Sequence, residues 1–144
     1  MIIISPWAKE LLSKKPNPKS PPINWWKSLV TKIQEPIIQV GITGEKQLVS
    51  DFRLNLSIQD LKVLLNECRT FITIDSFFQH LAWDLNKPGI VIWGQSNPKI
   101  FGHDIHTNLL KDEKYLMEDQ FLMWELITYR EDCFVTPKEV IEKL

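Results

Sequence analysis

Apolar residues along this chain gather in two kinds of cluster. Four short runs are continuous: Ile2–Ile4, Ile37–Val40, Phe71–Ile74 and Gly89–Trp93. A strand with one wet face alternates apolar and polar positions, whereas a strand covered on both faces does not. These four runs are therefore expected as buried parallel strands. Between them, apolar residues recur at helical spacing. Trp25, Trp26, Leu29, Val30 and Ile33 form one stripe, with Asn24 as its expected N-cap. Ile58, Leu61, Leu64, Leu65 and Cys68 form a second, opened by Ser57 and Asp60 in a Ser-x-x-Asp start. Phe77, Phe78, Leu81, Ala82 and Leu85 form a third. Thr136-Pro137 opens a last helix through Val140 and Ile141, with proline at the first helical position. Strands alternating with helices predict an α/β fold with a mostly parallel sheet.

Two stretches break this rhythm. Lys14–Pro22 is rich in Pro, Lys, Asn and Ser and is expected as a long surface loop between the first strand and the first helix. Gly94–His106 is a second long loop, and loops of this length in compact domains are often functional. Gln120–Tyr129 is apolar enough to be expected as a helix. Residues 1–144 are expected to form a single domain, because the piece before the lysine-rich loop is too short to fold alone.

Composition narrows the partners. A net charge of −1 supplies no general field for nucleic acid or an anionic membrane, so any phosphate must be met by local groups. Cys68 and Cys133 have no neighbouring histidines at metal-ligand spacing, and a reduced, cytoplasmic setting is the simplest expectation. No metal site is expected. The apolar start Met1–Ile4 stops at Ser5-Pro6, unlike a signal peptide, and no stretch approaches the roughly 20 apolar residues of a membrane span.

Candidate chemistry falls just after the expected strand ends. In open parallel sheets ligands bind beyond the carboxyl ends of the strands, so these groups should share one rim. The third strand runs into Asp75-Ser76, then Phe77-Phe78-Gln79-His80. Ser76 is placed to cap a helix whose free N–H groups and positive dipole end suit an anion, phosphate above all. His80, four residues on, shares roughly the same face and is a candidate phosphate donor. The alternative is an ordinary capped helix with an exposed histidine. The second strand runs into Gly41-Ile42-Thr43-Gly44-Glu45, where the glycines permit tight turns and Glu45 is suited to accept from ribose hydroxyls. Lys19, in competition with Lys9, Lys14 and Lys15, is the candidate partner of a diphosphate. Asp75 is suited to sugar hydroxyls. None of the six tryptophans is assigned to a ligand.

Together these residues resemble the C-terminal half of glycosyltransferase family 9, the ADP-heptose:lipopolysaccharide heptosyltransferases and their relatives. That family has an Asp-Ser/Thr-Gly-x-x-His-type strand-to-helix motif, a short helix, a Lys/Arg-Pro turn, a buried strand and a Gly-x-Ser/Thr-x-Pro loop. The chain reads Asp75-Ser76-Phe77-Phe78-Gln79-His80, then Lys87-Pro88, then Gly89-Ile90-Val91-Ile92-Trp93, then Gly94-Gln95-Ser96-Asn97-Pro98. Gly41 with Glu45 four residues later, Leu56-Ser57-Ile58 with Asp60-Leu61, and Asn17-Pro18-Lys19 also match. The likeness runs to about residue 110.

The resemblance implies a Rossmann-like α/β/α domain equivalent to the C-terminal half of a two-domain GT-B enzyme. Such a domain binds a nucleoside-diphosphate sugar for inverting, metal-independent transfer. It implies Lys19 at the phosphates, Glu45 at the ribose and Leu56 against the base. Asp75 would lie near the donor sugar, Ser76 and Phe77 at the diphosphate, and His80 by the phosphates or sugar. Phe77 stands where a glycine is common and is expected to narrow the approach to phosphate. The family's acceptor site and catalytic base lie on an N-terminal domain, which is expected to come from elsewhere, such as a second chain. The isolated chain is then expected to be weakly active or inactive. The competing expectation is a non-catalytic nucleotide-sugar-binding, regulatory or structural module on a reused glycosyltransferase fold.

Overall fold

The computed structural model describes residues 1–144. Its elements run β1 (Ile2–Ser5), α1 (Ile23–Lys32), β2 (Ile37–Gly41), β3 (Asp51–Leu54), α2 (Ile58–Glu67), β4 (Thr70–Ile74), α3 (Phe77–Asp84), β5 (Ile90–Trp93), α4 (Pro98–Phe101), β6 (Thr107–Leu110) and α5 (Pro137–Ile141). The strands form one six-stranded sheet in the order β3-β2-β1-β4-β5-β6. Every neighbouring pair is parallel. The four apolar runs are the four middle strands, and β4 pairs parallel with β5 through Ile72 and Ile90. This is a Rossmann-like α/β fold.

The absence of alternation in the sequence has a direct cause. Successive residues point to opposite faces, and both faces are covered. Ile2, Ile4, Ile72, Ile74, Ile90 and Ile92 pack on one side with Trp26 and Leu29 of α1 and Val140 of α5. Ile3, Ile38, Val40, Phe71, Val91 and Trp93 pack on the other with Leu64 and Leu65 of α2 and Phe78, Leu81 and Ala82 of α3. Cys68 and Cys133 are buried core residues, and burial pushes the Cys133 thiol up to about 11.

Several expectations need correction. β3 and β6 lie outside the four expected strands, because as edge strands they carry polar or exposed residues such as Asp51, Arg53, Thr107 and Asn108. Pro22, not Asn24, caps α1: its carbonyl already accepts from Trp25 at 2.9 Å, which places Asn24 inside the first turn. The β5 strand starts at Ile90, one residue after Gly89. The loop after β5 holds the short helix α4, with the Asn97 side chain accepting from the Lys99 N–H. Gln120–Tyr129 is not a helix. It has only a 3-10 turn at Trp124–Leu126, and its apolar residues Phe121, Met123 and Leu126 are exposed. Other expectations hold. Ser57 caps α2 by accepting from the Asp60 N–H at 3.1 Å, and Thr136 and Glu139 close a reciprocal capping box on α5. No helix is long and apolar enough to cross a membrane.

Candidate functional site

Between β1 and β4 the strand order reverses, and the chain leaves the sheet in opposite directions. That divergence opens a crevice at the carboxyl rim. Here it is a cleft of ≈ 720 Å³. Ser5 comes from the end of β1, Gly41, Ile42 and Glu45 from the loop after β2, and Asn55 and Leu56 from the turn after β3. Asp75, Ser76, Phe77 and Phe78 come from the β4–α3 junction, and Lys19 from the loop after β1. Six of the seven expected site residues therefore line one cleft. The seventh, His80, lines an adjoining hollow of ≈ 370 Å³ that shares Lys19, Asp75 and Trp124 with the cleft. Its Nδ1 lies 2.7 Å from His103 Nε2, so the imidazole is engaged by the segment that follows α4.

Asp75 is buried, and both its oxygens are engaged. Oδ2 lies 3.3 Å from Lys19 Nζ, and Oδ1 accepts from Gln79 Nε2 at 3.2 Å. Of the competing lysines, Lys14 pairs with Glu10 at 3.2 Å and Lys15 is exposed. Lys9 also lines the cleft but is exposed, so Lys19 is the half-buried lysine there.

The expected Ser76 side-chain cap does not form. Thr73 Oγ1 donates to the Ser5 carbonyl at 2.8 Å and stands 3.3 Å from Ser76 Oγ. With its own hydrogen committed, Thr73 can only accept from Ser76. The serine hydroxyl is thereby held away from the start of α3. The first N–H groups of that helix precede its first internal bond, and Phe77 and Phe78 at its start line the cleft. An unfilled cap leaves these N–H groups free for an anion.

Glu45 is half-buried. Burial raises its carboxyl above the usual range, against a lowering contribution from the Ile42 backbone. Its Oε2 is buried without a hydrogen-bond partner. Gly41 makes this position possible, because a Cβ there would collide with Oε2. The loop is fixed by Asn55, which adopts φ 56°. Its amide donates to Thr43 Oγ1 at 2.8 Å, and its carbonyl oxygen accepts from the Thr43 N–H at 3.1 Å. Buried Gln39 holds the far side by donating to the Lys46 carbonyl and accepting from the Leu48 N–H.

Phe77 is 57% exposed at the mouth, where a glycine would leave open space. Some lining residues escape sequence reasoning, among them Ala8, Leu11 and two from far along the chain. Trp124 and Glu125 arrive from the segment between β6 and α5, and no local pattern marks them as site residues. Asn55 carried a faint signal, since asparagine before a helix start often takes a left-handed turn.

The model of glycosyltransferase family 9 (heptosyltransferase) matches residues 11–117. The chain belongs to glycosyltransferase family 9. No curated protein and no solved structure matches it. The matched stretch of this family 9 chain contains all seven expected site residues and stops before Trp124.

Proposed function

We propose that this glycosyltransferase-type domain binds a nucleoside-diphosphate sugar as donor in the cleft between β1 and β4. The observation that supports it best is the gathering of Lys19, Glu45, Leu56, Asp75, Ser76 and Phe77 around one cleft at the point where strand order reverses. In this reading the base lies against Leu56 and the ribose hydroxyls donate to Glu45, whose Oε2 lacks a partner. The diphosphate meets Lys19 and the open N–H groups at the start of α3. The sugar extends toward Asp75, with His80 beyond it.

The chemistry follows from charge. Breaking the glycosidic bond leaves negative charge on the departing diphosphate. Lys19 and the positive end of α3 stabilise that charge, which is work a metal would otherwise do. Inversion requires an acceptor hydroxyl to attack from the opposite face, with a base in reach of its proton. The carboxylates at this cleft have other work. Asp75 holds Lys19 and Gln79, Glu10 pairs with Lys14, and Glu125 accepts from the Leu12 and Ser13 N–H groups. Glu45 faces the ribose end. The base then comes from a facing GT-B domain, and the reaction belongs to cytoplasmic synthesis of lipopolysaccharide or a related glycan.

Calorimetric titration of the chain with ADP, UDP, GDP and their sugar conjugates tests this. Lys19→Ala should weaken binding about tenfold or more, as expected for losing a charge-assisted contact. Asp75→Ala should weaken the sugar conjugates more than the bare diphosphates, because its carboxylate favours hydroxyls but repels phosphate. No binding anywhere in the panel at millimolar concentration would sink the donor reading and leave a regulatory or structural module.

A further inference from the structure

Lys19 has a second neighbour besides Asp75. Its Nζ stands 4.8 Å from the centroid of the Trp124 ring. The ammonium is thus held between a carboxylate and an aromatic face, and the lysine side chain is only 21% exposed. This matters because Lys19 sits on a loop without regular structure, at the end of a flexible four-carbon stem.

The segment bearing Trp124 grips that same loop on both sides of the lysine. Glu125 accepts from the backbone N–H groups of Leu12 and Ser13, and the Tyr129 hydroxyl donates to the Ser20 carbonyl at 2.8 Å. At its other end the segment is tied to the loop after β5. Gln120 accepts from the Asn97 N–H at 2.8 Å and donates to the Gln95 carbonyl, while Gln95 Nε2 donates to the Thr128 carbonyl. All of these strap residues lie beyond the stretch that matches the family.

We propose that Trp124 is a positioning residue for phosphate binding, its ring holding the Lys19 ammonium in the cleft for transfer from Asp75 to an entering diphosphate. The inference rests on the donor-site reading above. An aromatic face suits this task better than a second carboxylate would. Its quadrupole attracts the ammonium but carries no net charge, so it orients Lys19 without neutralising it or repelling the anion. Asp75 yields when the diphosphate arrives; the ring stays.

The test uses the 144-residue chain as wild type, Trp124→Leu, Trp124→Phe, Lys19→Ala and the double variant Lys19→Ala/Trp124→Leu. Two readouts are taken: calorimetric titration with pyrophosphate, ADP, UDP and GDP, and the rate at which Lys19 is acylated by an amine reagent, followed by peptide mass spectrometry. Trp124→Leu should weaken diphosphate binding about two- to fivefold, Trp124→Phe should restore most of it, and Trp124→Leu should add nothing in the Lys19→Ala background. Lys19 should react more slowly than exposed Lys15 in the wild type and approach its rate in Trp124→Leu. An equal loss in the Lys19→Ala background would make Trp124 merely structural and overturn the proposal. So would unchanged binding or an unchanged acylation rate in Trp124→Leu. Failure of every probe to bind the wild type would overturn the donor-site reading, and the phosphate role with it. Loss in Trp124→Leu with binding kept in Lys19→Ala would overturn the positioning role and leave the donor-site reading standing.

Discussion

The middle of the sheet and the strap between β6 and α5 are held together by different forces. In β1, Ile2, Ile3 and Ile4 are wholly buried, and their neighbours in β4 and β5 are almost as dry. In the strap, Phe121 is 78% exposed and Leu126 is 68% exposed. The sheet's stability is collective, spread over many apolar contacts and a continuous ladder of backbone bonds. The strap depends on a handful of side-chain-to-backbone hydrogen bonds from Gln95, Gln120, Glu125 and Tyr129, with Cys133 and Phe134 plugging its end into the core. Yet the strap supplies Trp124 to the cleft. A segment fastened by discrete bonds can carry a site residue without being part of the folding core, so damage to the two regions should be read by different instruments.

The largest effect should come from the sheet. Phe71 is fully buried, packs edge-on against Phe78 with ring centroids 5.5 Å apart, and also meets His106. Phe71→Ala should cost about 3–5 kcal/mol in denaturant unfolding, a large share of a domain's usual stability. A cost below 1 kcal/mol would mean that the core is not close-packed there.

Next comes Gly89→Ala. A Cβ at Gly89 would overlap the Phe71 ring, and overpacking of this kind costs roughly 1–3 kcal/mol. The loss should appear as a lower thermal midpoint with donor affinity unchanged.

Gln120→Ala tests the other side of the comparison. It removes the acceptor of the Asn97 N–H and the donor to the Gln95 and Met117 carbonyls. The expected loss is roughly 1–2 kcal/mol, but local. Hydrogen exchange should accelerate across residues 117–129 and leave β4 protected. Equal acceleration in both would abolish the distinction between strap and core.

The smallest effect is acid sensitivity beside α3. His106 is buried, and that burial lowers its affinity for a proton despite the Gln79 carbonyl at 2.9 Å. His103 is lowered by burial and then by the neighbouring His80. Unfolded imidazoles take up protons near ~6.5. The folded ones do so only at lower pH, so below that value the unfolded state binds more protons. Stability should therefore be fully present above this window and fall as pH drops through it. Melts at pH 7.5 and 5.5 check the direction, and His106→Gln should flatten the dependence.

Local patterns alone determined the four middle strands, because residues between two covered faces are apolar wherever their side chains point, except where, like Gln39 and Thr73, they bond to nearby backbone. They also determined the Ser57 and Thr136 helix starts, whose chemistry lies within three residues. That the residues after the strand ends gather at one cleft was legible for a related reason: once the strands are parallel, topology places their carboxyl ends on one rim. Edge strands β3 and β6 were hidden because an edge needs no apolar run. The Ser76 hydroxyl misses its expected cap because Thr73, whose own hydrogen goes to the Ser5 carbonyl across the pairing of β1 with β4, accepts from it instead. Trp124 was beyond reach of any local reading. Its place beside Lys19 exists only because the strap is tied both to the loop after β5 and, through Tyr129 and Ser20, to a loop 109 residues away. Periodicity reports which side of an element is dry, but it has no term for which distant loop a given hydrogen bond will reach.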